Sequence, residues 1–354
     1  MRILITGGLG CIGSQIARSY LDERHEVVLI DSCEEARNEW IYQKFINYAD
    51  QTTVYVGRME HRDTESWIHQ ILPSCDAVIH AAASTGIPHS ALHPDDDWAS
   101  NVDATKVLLD ALRERPVPTV VLSSVKPYRT TFGGPVCESI DGGGIRLRMN
   151  ASQADEMQAH GGLREDDPLE PDEPYAASKA AQSMLAMAWA RSYDLPIVTL
   201  RCSNLYGPAP CHGPRHGWLT WFCIAAAIGR PIEVQGGGAQ ARDMLFGSDV
   251  AAACRVALAN APALAGKVFN IGGGRANVTS VRRMATKIQG MTGCEVVEGP
   301  GRRHEDQLVF VDHSRFTEAT GWRPLVDVEE GSDRVLAWAE ENADELKKVY
   351  EGVK

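Results

Sequence analysis

Two side chains in this sequence are spaced for proton transfer. Tyr175 and Lys179 stand four residues apart in Pro174-Tyr175-Ala176-Ala177-Ser178-Lys179, at the head of an alanine-rich run. On a helix that spacing puts both on one face, one turn apart. A phenol with its ordinary pKa of about 10 is a poor base at neutral pH, and a neighbouring ammonium lowers that pKa by favouring the phenolate. The pair could therefore exchange a proton with a substrate hydroxyl. Tyr-x-x-x-Lys is also common as a plain helix-surface pair, so its meaning depends on the elements around it.

A second chemistry lies at the N-terminus. The apolar run Arg2 to Thr6 leads into Gly7-Gly8-Leu9-Gly10-Cys11-Ile12-Gly13, then helical spacing at Ile12, Ile16, Tyr20 and Leu21, then Val27-Val28-Leu29-Ile30 ending on Asp31. Strand, glycine turn, helix, strand and acid form the context of a dinucleotide site. The backbone from Gly7 through Gly10, Cys11, Ile12 and Gly13 can approach a pyrophosphate, which the free N–H groups and dipole of a helix N-terminus favour. Asp31 can accept from both ribose hydroxyls and would repel a 2′-phosphate, which points to NAD over NADP. Arg37, close by, weighs the other way.

The elements that must hold these groups alternate along the chain. Thr53 to Val56 reads as a strand, Thr64 to Leu72 as a helix, Asp76 to His80 as a strand running into Ala81, Ala82 and Ala83, Trp98 to Arg113 as a helix, and Val117 to Ser123 and Ile197 to Arg201 as strands. This is the pattern of an α/β fold with a doubly wound parallel (Rossmann) sheet, whose ligands sit beyond the carboxyl ends of its strands. Ala81 to Ala83, Ser123, Ser124 and Tyr175 then meet at one crevice. Beyond Gly207 the alternation stops and a smaller mixed α/β substrate domain is expected. The expected division is 1–205 for the dinucleotide-binding domain, with segments near 243–275 (Asp249 to Leu258, Val268 to Gly272) returning to its sheet, and 206–242 with 276–354 for the second. The helix from Tyr175 carries Met184, Leu185, Met187, Ala188 and Trp189 round much of its circumference and should be buried on more than one side.

Composition bounds the partners. The net charge of -12 over 354 residues argues against nucleic acid and anionic membrane surfaces. The nine cysteines are scattered with no Cys-x-x-Cys, so neither a disulfide framework nor a zinc site is suggested, and no metal is expected. Met1 to Thr6 runs straight into structure, no apolar run approaches a membrane span, and a cytoplasmic location is expected. His212 and His216 read as ordinary polar contacts.

Thr6 to Gly13, Asp31, His80-Ala81-Ala82-Ala83, Asn101-Val102, Ser123-Ser124, Tyr175-x-x-x-Lys179 and Arg201-x-x-Asn204-x-Tyr206-Gly207-Pro208 resemble, in this order, the extended short-chain dehydrogenase/reductases. These are largely nucleotide-sugar epimerases and dehydratases. His216 to Cys223 and His304 to Asp312 are similar to stretches of the CDP-tyvelose (CDP-paratose) 2-epimerase branch. The resemblance implies catalytic roles for Ser124, Tyr175 and Lys179, with Lys179 also on the nicotinamide ribose. It implies NAD contacts at the glycine turn, Asp31, Ala81, Ala82, Ala83, Asn101 and Ser123. A nucleotide-diphosphate sugar would meet Ser124, Lys126, Asn204 and Trp218, with Arg242 and Arg303 on its diphosphate. It further implies a homodimer or homotetramer built on the helices at 98–113 and 175–193, and leaves the glycine- and acid-rich stretch 132–172 as either a flap near the sugar or a bystander loop.

Two departures stand out. The 2-epimerase branch has Thr-Asn-Lys-Val-Tyr-Gly where this chain has Ser124-Val125-Lys126-Pro127-Tyr128-Arg129, and 4,6-dehydratases carry an Asp-Glu pair where Val125 and Lys126 stand. An Asp near the adenine is usual after the third strand, but Gly57-Arg58-Met59 offers none, leaving Asp63 as a substitute. The expected function is an NAD-dependent epimerase of a nucleotide-diphosphate sugar, at carbon 2. A 4-epimerase, a 4,6-dehydratase and a non-catalytic NAD-binding sensor or scaffold are the alternatives.

Overall fold

The computed structural model describes residues 1–34, 36–128, 137–140, 144–147, 162–210, 213–301, 306 and 308–352. Seven parallel strands form the main sheet, in the order Val268–Ile271, Ile197–Cys202, Thr119–Ser124, Ala77–His80, Arg2–Thr6, Glu26–Asp31, Thr52–Val56. Six of the strands are buried along nearly their whole length because both faces are covered, as a parallel sheet requires, while the edge strand Thr52–Val56 is part exposed. Period-two alternation sends Ile3, Ile5, Val27 and Leu29 to one face, packed on Ile16, Ala17, Tyr20, Val250 and Ala253. It sends Leu4, Val28 and Ile30 to the other, packed on Ile68, Leu108, Leu109, Leu112 and Ala186. Arg2–Thr6 sits between Glu26–Asp31 and Ala77–His80, so the winding reverses there and a crevice opens at the carboxyl ends.

Asn204–Tyr206, Ala241–Phe246, Val278–Ser280 and Leu308–Val309 make a second, mixed sheet, and Ile232–Gln235 pairs with Val296–Gly299. Around them lies a separate core that includes Trp221, Phe222, Met244, Met284 and Leu336. All seven main-sheet strands fall inside 1–205 and 243–275, and we propose that division of the chain, with the strand Ala241–Phe246 assigned whole to the second unit.

Two local expectations change and a third is met in part. The helix read over 98–113 is interrupted: Pro94–Trp98 and Ala104–Glu114 flank a π-helical turn at Ala99–Asp103. The turn carries Asn101, fully buried, whose amide donates to Ser84 O and Ser178 Oγ. Residues 249–258 return to the sheet as part of a helix, Gly247–Ala259, so only Val268–Ile271 adds a strand. The helix Pro174–Ser192 is covered on its sheet side, but Met184 is 57% exposed, so its apolar circumference is not enclosed within one chain. Within the stretch 132–172, Cys137–Ile140 pairs antiparallel with Gly144–Leu147. Residues 162–172 are tied down by bridges from Leu163 to Val311 and from Leu169 to Tyr128. The remainder, on which the flap expectation rests, lies outside the described residues. No helix among the described residues is long and apolar enough to cross a membrane.

Candidate active site

A cavity of about 930 Å³ runs along the carboxyl ends of the main strands and under the mixed sheet. Its first wall is the glycine turn. Gly7 has φ +67°, and a Cβ there would stand 2.6 Å from the Ala82 nitrogen; at Gly13 it would stand 2.0 Å from Gly7 O. Only glycine lets the turn, the helix and the next strand approach this closely. The helix Cys11–Leu21 has Gly10 as its N-cap, with no side-chain cap, and its first internal bond is Ser14 N to Gly10 O. The N–H groups of Ile12 and Gly13 therefore have no partner within the helix, and both residues line the cavity together with Cys11.

Asp31, buried at the tip of its strand, accepts from Leu9 N (2.9 Å) with one oxygen and from Cys33 N (3.1 Å) with the other. A carboxylate has about four acceptor sites, so beyond these donors and the Ser32 N–H acceptor capacity remains on Asp31 for a ligand hydroxyl. Burial raises the Asp31 pKa, opposed by those two N–H donors and by the Arg37 guanidinium. Ala81, Ala82, Ala83, Ser123 and Ser124 also line the cavity. The adenine-side acid is not supplied by Asp63, which is exposed in the first turn of Arg62–Ile71. Glu34, Arg58, Met59 and Glu60 stand on the wall instead, with Arg58 Nε donating to Glu34 at 2.6 Å. No motif marks these residues, because Glu34 and Glu60 become neighbours only when the second and third strands pair. Asn101 is not among the residues that line the cavity: the π-turn aims its amide at the helix carrying Ser178, to which it is hydrogen-bonded.

The proton-transfer group is assembled from two elements. Glu173 caps the helix Pro174–Ser192 by accepting from Tyr175 N and Ala176 N, and Pro174 occupies its first turn, so Tyr175 and Lys179 project from consecutive turns. Ser124, at the end of Thr119–Ser124, hydrogen-bonds the Tyr175 phenol and accepts from Lys126 N at 3.1 Å. The spacing led us to expect a phenol pKa lowered by Lys179. The structure places it above its ordinary value: burial raises it, the Ser124 hydrogen bond opposes this, and Glu173, Asp97 and Cys202 add to the rise. The ammonium is directed elsewhere, to Gln182 Oε1 at 2.8 Å and Leu122 O at 3.3 Å. Burial brings Lys179 itself down to about 8, against the opposing pull of Cys202 and Asp97. Ser123 Oγ donates to Lys179 O and so serves the helix as well as the wall.

Toward the mixed sheet, Lys126, Asn204, Trp218 and Arg242 all line the cavity, as does His216. Lys126 Nζ lies 2.9 Å from Asp306 and 3.5 Å from Asp172, with its side chain 11% exposed. Burial alone would lower the Lys126 pKa, but Asp306 and Asp172 outweigh it, and the net direction is upward. Val125 is buried against Tyr128, Leu163, Val309 and Val311. The buried indole N–H of Trp218 has no hydrogen-bond partner among the described residues. Arg303 and His212 lie outside the described residues. Asp306 and Asp172 were not singled out by spacing, since they come from segments distant in sequence and meet only at Lys126. Among the described residues no group of three or more metal-ligating side chains forms.

The sequence profile described as the NAD dependent epimerase/dehydratase family matches residues 3–272. The chain belongs to this family. Its cofactor is NAD, and the uncapped helix N-terminus and the part-satisfied Asp31 fit that cofactor's pyrophosphate and ribose. This family member is 26% identical over 347 residues to the CDP-paratose 2-epimerase of Salmonella typhi, covering 96% of this chain and 99% of the relative. It is 29% identical over 351 residues to the dTDP-glucose 4,6-dehydratase of an Actinoplanes species, covering 97% and 98%. Among solved structures, the dTDP-glucose 4,6-dehydratase of Streptomyces venezuelae with NAD bound is similar at a TM-score of 0.80 and 26% identity, over 99% of this chain and 100% of that one. The fold is shared with a UDP-glucose 4-epimerase of Thermotoga maritima, at a TM-score of 0.76 and 24% identity, over 97% and 99%.

Proposed function

We propose that this protein is an epimerase of a nucleotide-diphosphate sugar, acting at carbon 2 by transient oxidation to a keto-sugar and re-reduction on the opposite face. The observation that carries this reading against dehydration is the pair Val125 and Lys126. Expelling water from a sugar needs a general acid to protonate the leaving hydroxyl and a base to take a carbon-bound proton, the pair that an Asp-Glu at these positions would supply. Val125 is buried among apolar side chains and can transfer no proton. Lys126 is held charged between Asp306 and Asp172, and a cation whose pKa is raised is a poor proton donor. Similarity to 2-epimerase sequences supports the choice of carbon.

NAD⁺ bound in this crevice supplies a hydride acceptor and donor and, in its oxidised form, a positive charge. Tyr175 takes the proton from the sugar hydroxyl as that carbon is oxidised and returns it when the carbonyl is reduced, so no net proton is consumed. Ser124 hydrogen-bonds the same oxygen and sets its distance from the phenol. Lys126 presents N–H donors to sugar hydroxyls. Arg242, with Arg303, holds the diphosphate while the sugar ring turns over. The unpartnered Trp218 N–H offers a fixed donor on the same wall.

The test is a screen of CDP-, ADP-, UDP- and GDP-sugars with purified protein and NAD, followed by reaction in heavy water. The expected product is inverted at carbon 2 and carries essentially no solvent deuterium there, because the same hydride leaves and returns. Loss of water with deuterium entering the sugar would establish the dehydratase reading instead, and inversion at carbon 4 the 4-epimerase reading.

A further inference from the structure

Lys179 is anchored by a chain of buried hydrogen bonds that no part of the proposed reaction uses. A lysine ammonium can only donate, so the atom of Gln182 that faces it at 2.8 Å is Oε1. The amide nitrogen of Gln182 then points away and donates to Thr105 Oγ1 at 3.1 Å. Thr105 has a single proton, and it goes to Asn101 O at 2.7 Å. Its oxygen therefore accepts, both from Gln182 and from His80 Nε2 at 2.9 Å. With the proton on Nε2, His80 Nδ1 is the acceptor and receives the Thr6 hydroxyl at 2.7 Å. All four supporting side chains are buried, at 0% exposure. Each donor has an acceptor, and reversing the Gln182 amide would set N–H against N–H at Lys179.

We propose that Gln182 is the positioning residue of Lys179: a neutral amide, locked from behind by Thr105 and His80, that fixes the direction of the ammonium without giving it a counter-charge. The role rests on Lys179 serving the reaction proposed above, but the anchoring itself does not depend on which sugar is turned over. Two of the three ammonium protons are taken by Gln182 and Leu122 O, which leaves one for the cavity that Lys179 lines. A carboxylate at position 182 would hold the lysine protonated to higher pH. With an amide there, the groups that bear on Lys179 are Asp97 from the helix Pro94–Trp98, Cys202 from the neighbouring strand and the neutral His80 beneath it. Burial then brings Lys179 down to about 8, with Cys202 and Asp97 pulling only weakly against it.

The experiment compares wild type with Gln182→Glu and Gln182→Leu, using protein labelled with 13C at the lysine ε-carbon and assigned through Lys179→Met. The expected wild-type titration is near pH 8. Gln182→Glu should move it up by at least about one unit, as an adjacent opposite charge does. Gln182→Leu should move it down. In turnover assays, the alkaline limb of kcat should shift in the same directions, and Gln182→Leu should lower kcat by about tenfold or more with KM nearly unchanged. One common Lys179 titration in all three proteins, or wild-type titration near the free-lysine value, would overturn the proposal. The NMR titration is read without substrate, so a failure to find any epimerised sugar would sink the proposed function and leave this result standing. Thermal melts of both variants separate a folding defect from loss of positioning, and Gln182→Glu keeps the acceptor if Gln182→Leu does not fold.

Discussion

Acidification should weaken this protein through one histidine. His80 is fully buried between Thr6 and Thr105, and burial, with a smaller contribution from the Lys179 charge, lowers its pKa from 6.5 to about 3. The folded state therefore refuses a proton that the unfolded chain accepts. The stability this represents is fully present above pH 6.5 and is lost progressively as pH falls toward 3. At about 1.4 kcal/mol per pH unit, the loss is about 3 kcal/mol by pH 4, approaching about 5 kcal/mol below pH 3. A typical domain has about 5–15 kcal/mol in total, so the effect is large. Other buried groups oppose it: Asp243, raised by burial to about 7, and Asp31, also raised, stabilise the folded state as they protonate. The measurement must therefore be a difference. Urea denaturation of wild type and His80→Gln, followed by tryptophan fluorescence from pH 7.5 to pH 4, subtracts the carboxylates and leaves the histidine. Gln keeps one donor and one acceptor but cannot titrate in this range. The advantage of wild type over the variant should shrink by about 3 kcal/mol across that interval. Parallel curves would refute the burial of a neutral imidazole, and with it the proton assignment along the Thr105 and Gln182 chain.

Three further outcomes follow from the site. Tyr175→Phe should lower kcat by at least about a thousandfold, with NAD affinity and melting temperature unchanged, because a general acid–base group is lost with little change of shape. Asp31→Asn should weaken NAD binding by about tenfold or more in calorimetry while narrowing the gap to NADP, since a charge-assisted acceptor is lost together with its repulsion of a 2′-phosphate. Lys126→Met should raise KM for the sugar nucleotide and make the segment 162–172 more sensitive to limited proteolysis, because Lys126 bridges Asp172 to Asp306; unchanged KM and protection would show that the lysine is ornamental to both.

Much of the fold was legible because two periodicities coexist in the sequence. Strand residues such as Val27 and Val28 are both apolar, and only a sheet covered on two faces asks for that. The glycine turn and Asp31 were legible for a related reason: a close backbone approach admits few residues, so chemistry and spacing coincide. The π-turn at Ala99–Asp103 was not, since nothing in Ala99-Ser100-Asn101-Val102-Asp103 breaks a helix by propensity. What stabilises the turn is tertiary, the burial of Asn101 against Ser84 and Ser178 from other elements. The apolar circumference of Pro174–Ser192 was legible only in part, for a different reason. Period alone says how much apolar surface a helix carries, while Met184 shows that one chain need not cover all of it.

The Tyr175 and Lys179 pair shows where reading by spacing stops. Four-residue separation places the two side chains on one face, but the sign of a pKa shift depends on where each polar atom is aimed and how much water it has lost. The phenol is raised by burial and not lowered, and the Lys179 ammonium, with two of its protons on Gln182 and Leu122 O, is not among the groups that pull it down. The three-residue interval from Lys179 to Gln182 is visible in the sequence. Its consequence is not, because the orientation of that amide is set by Thr105 on another helix and by His80 on a strand. Lowering of Lys179 and raising of Tyr175 are thus two results of the same burial. For Tyr175 to act as a base, the favourable charge must come from the third, cavity-facing ammonium proton and from the oxidised nicotinamide together. In the proposed reaction such a phenol is activated only when the oxidised cofactor occupies the crevice, and the sugar hydroxyl that enters beside it is the group that supplies the proton.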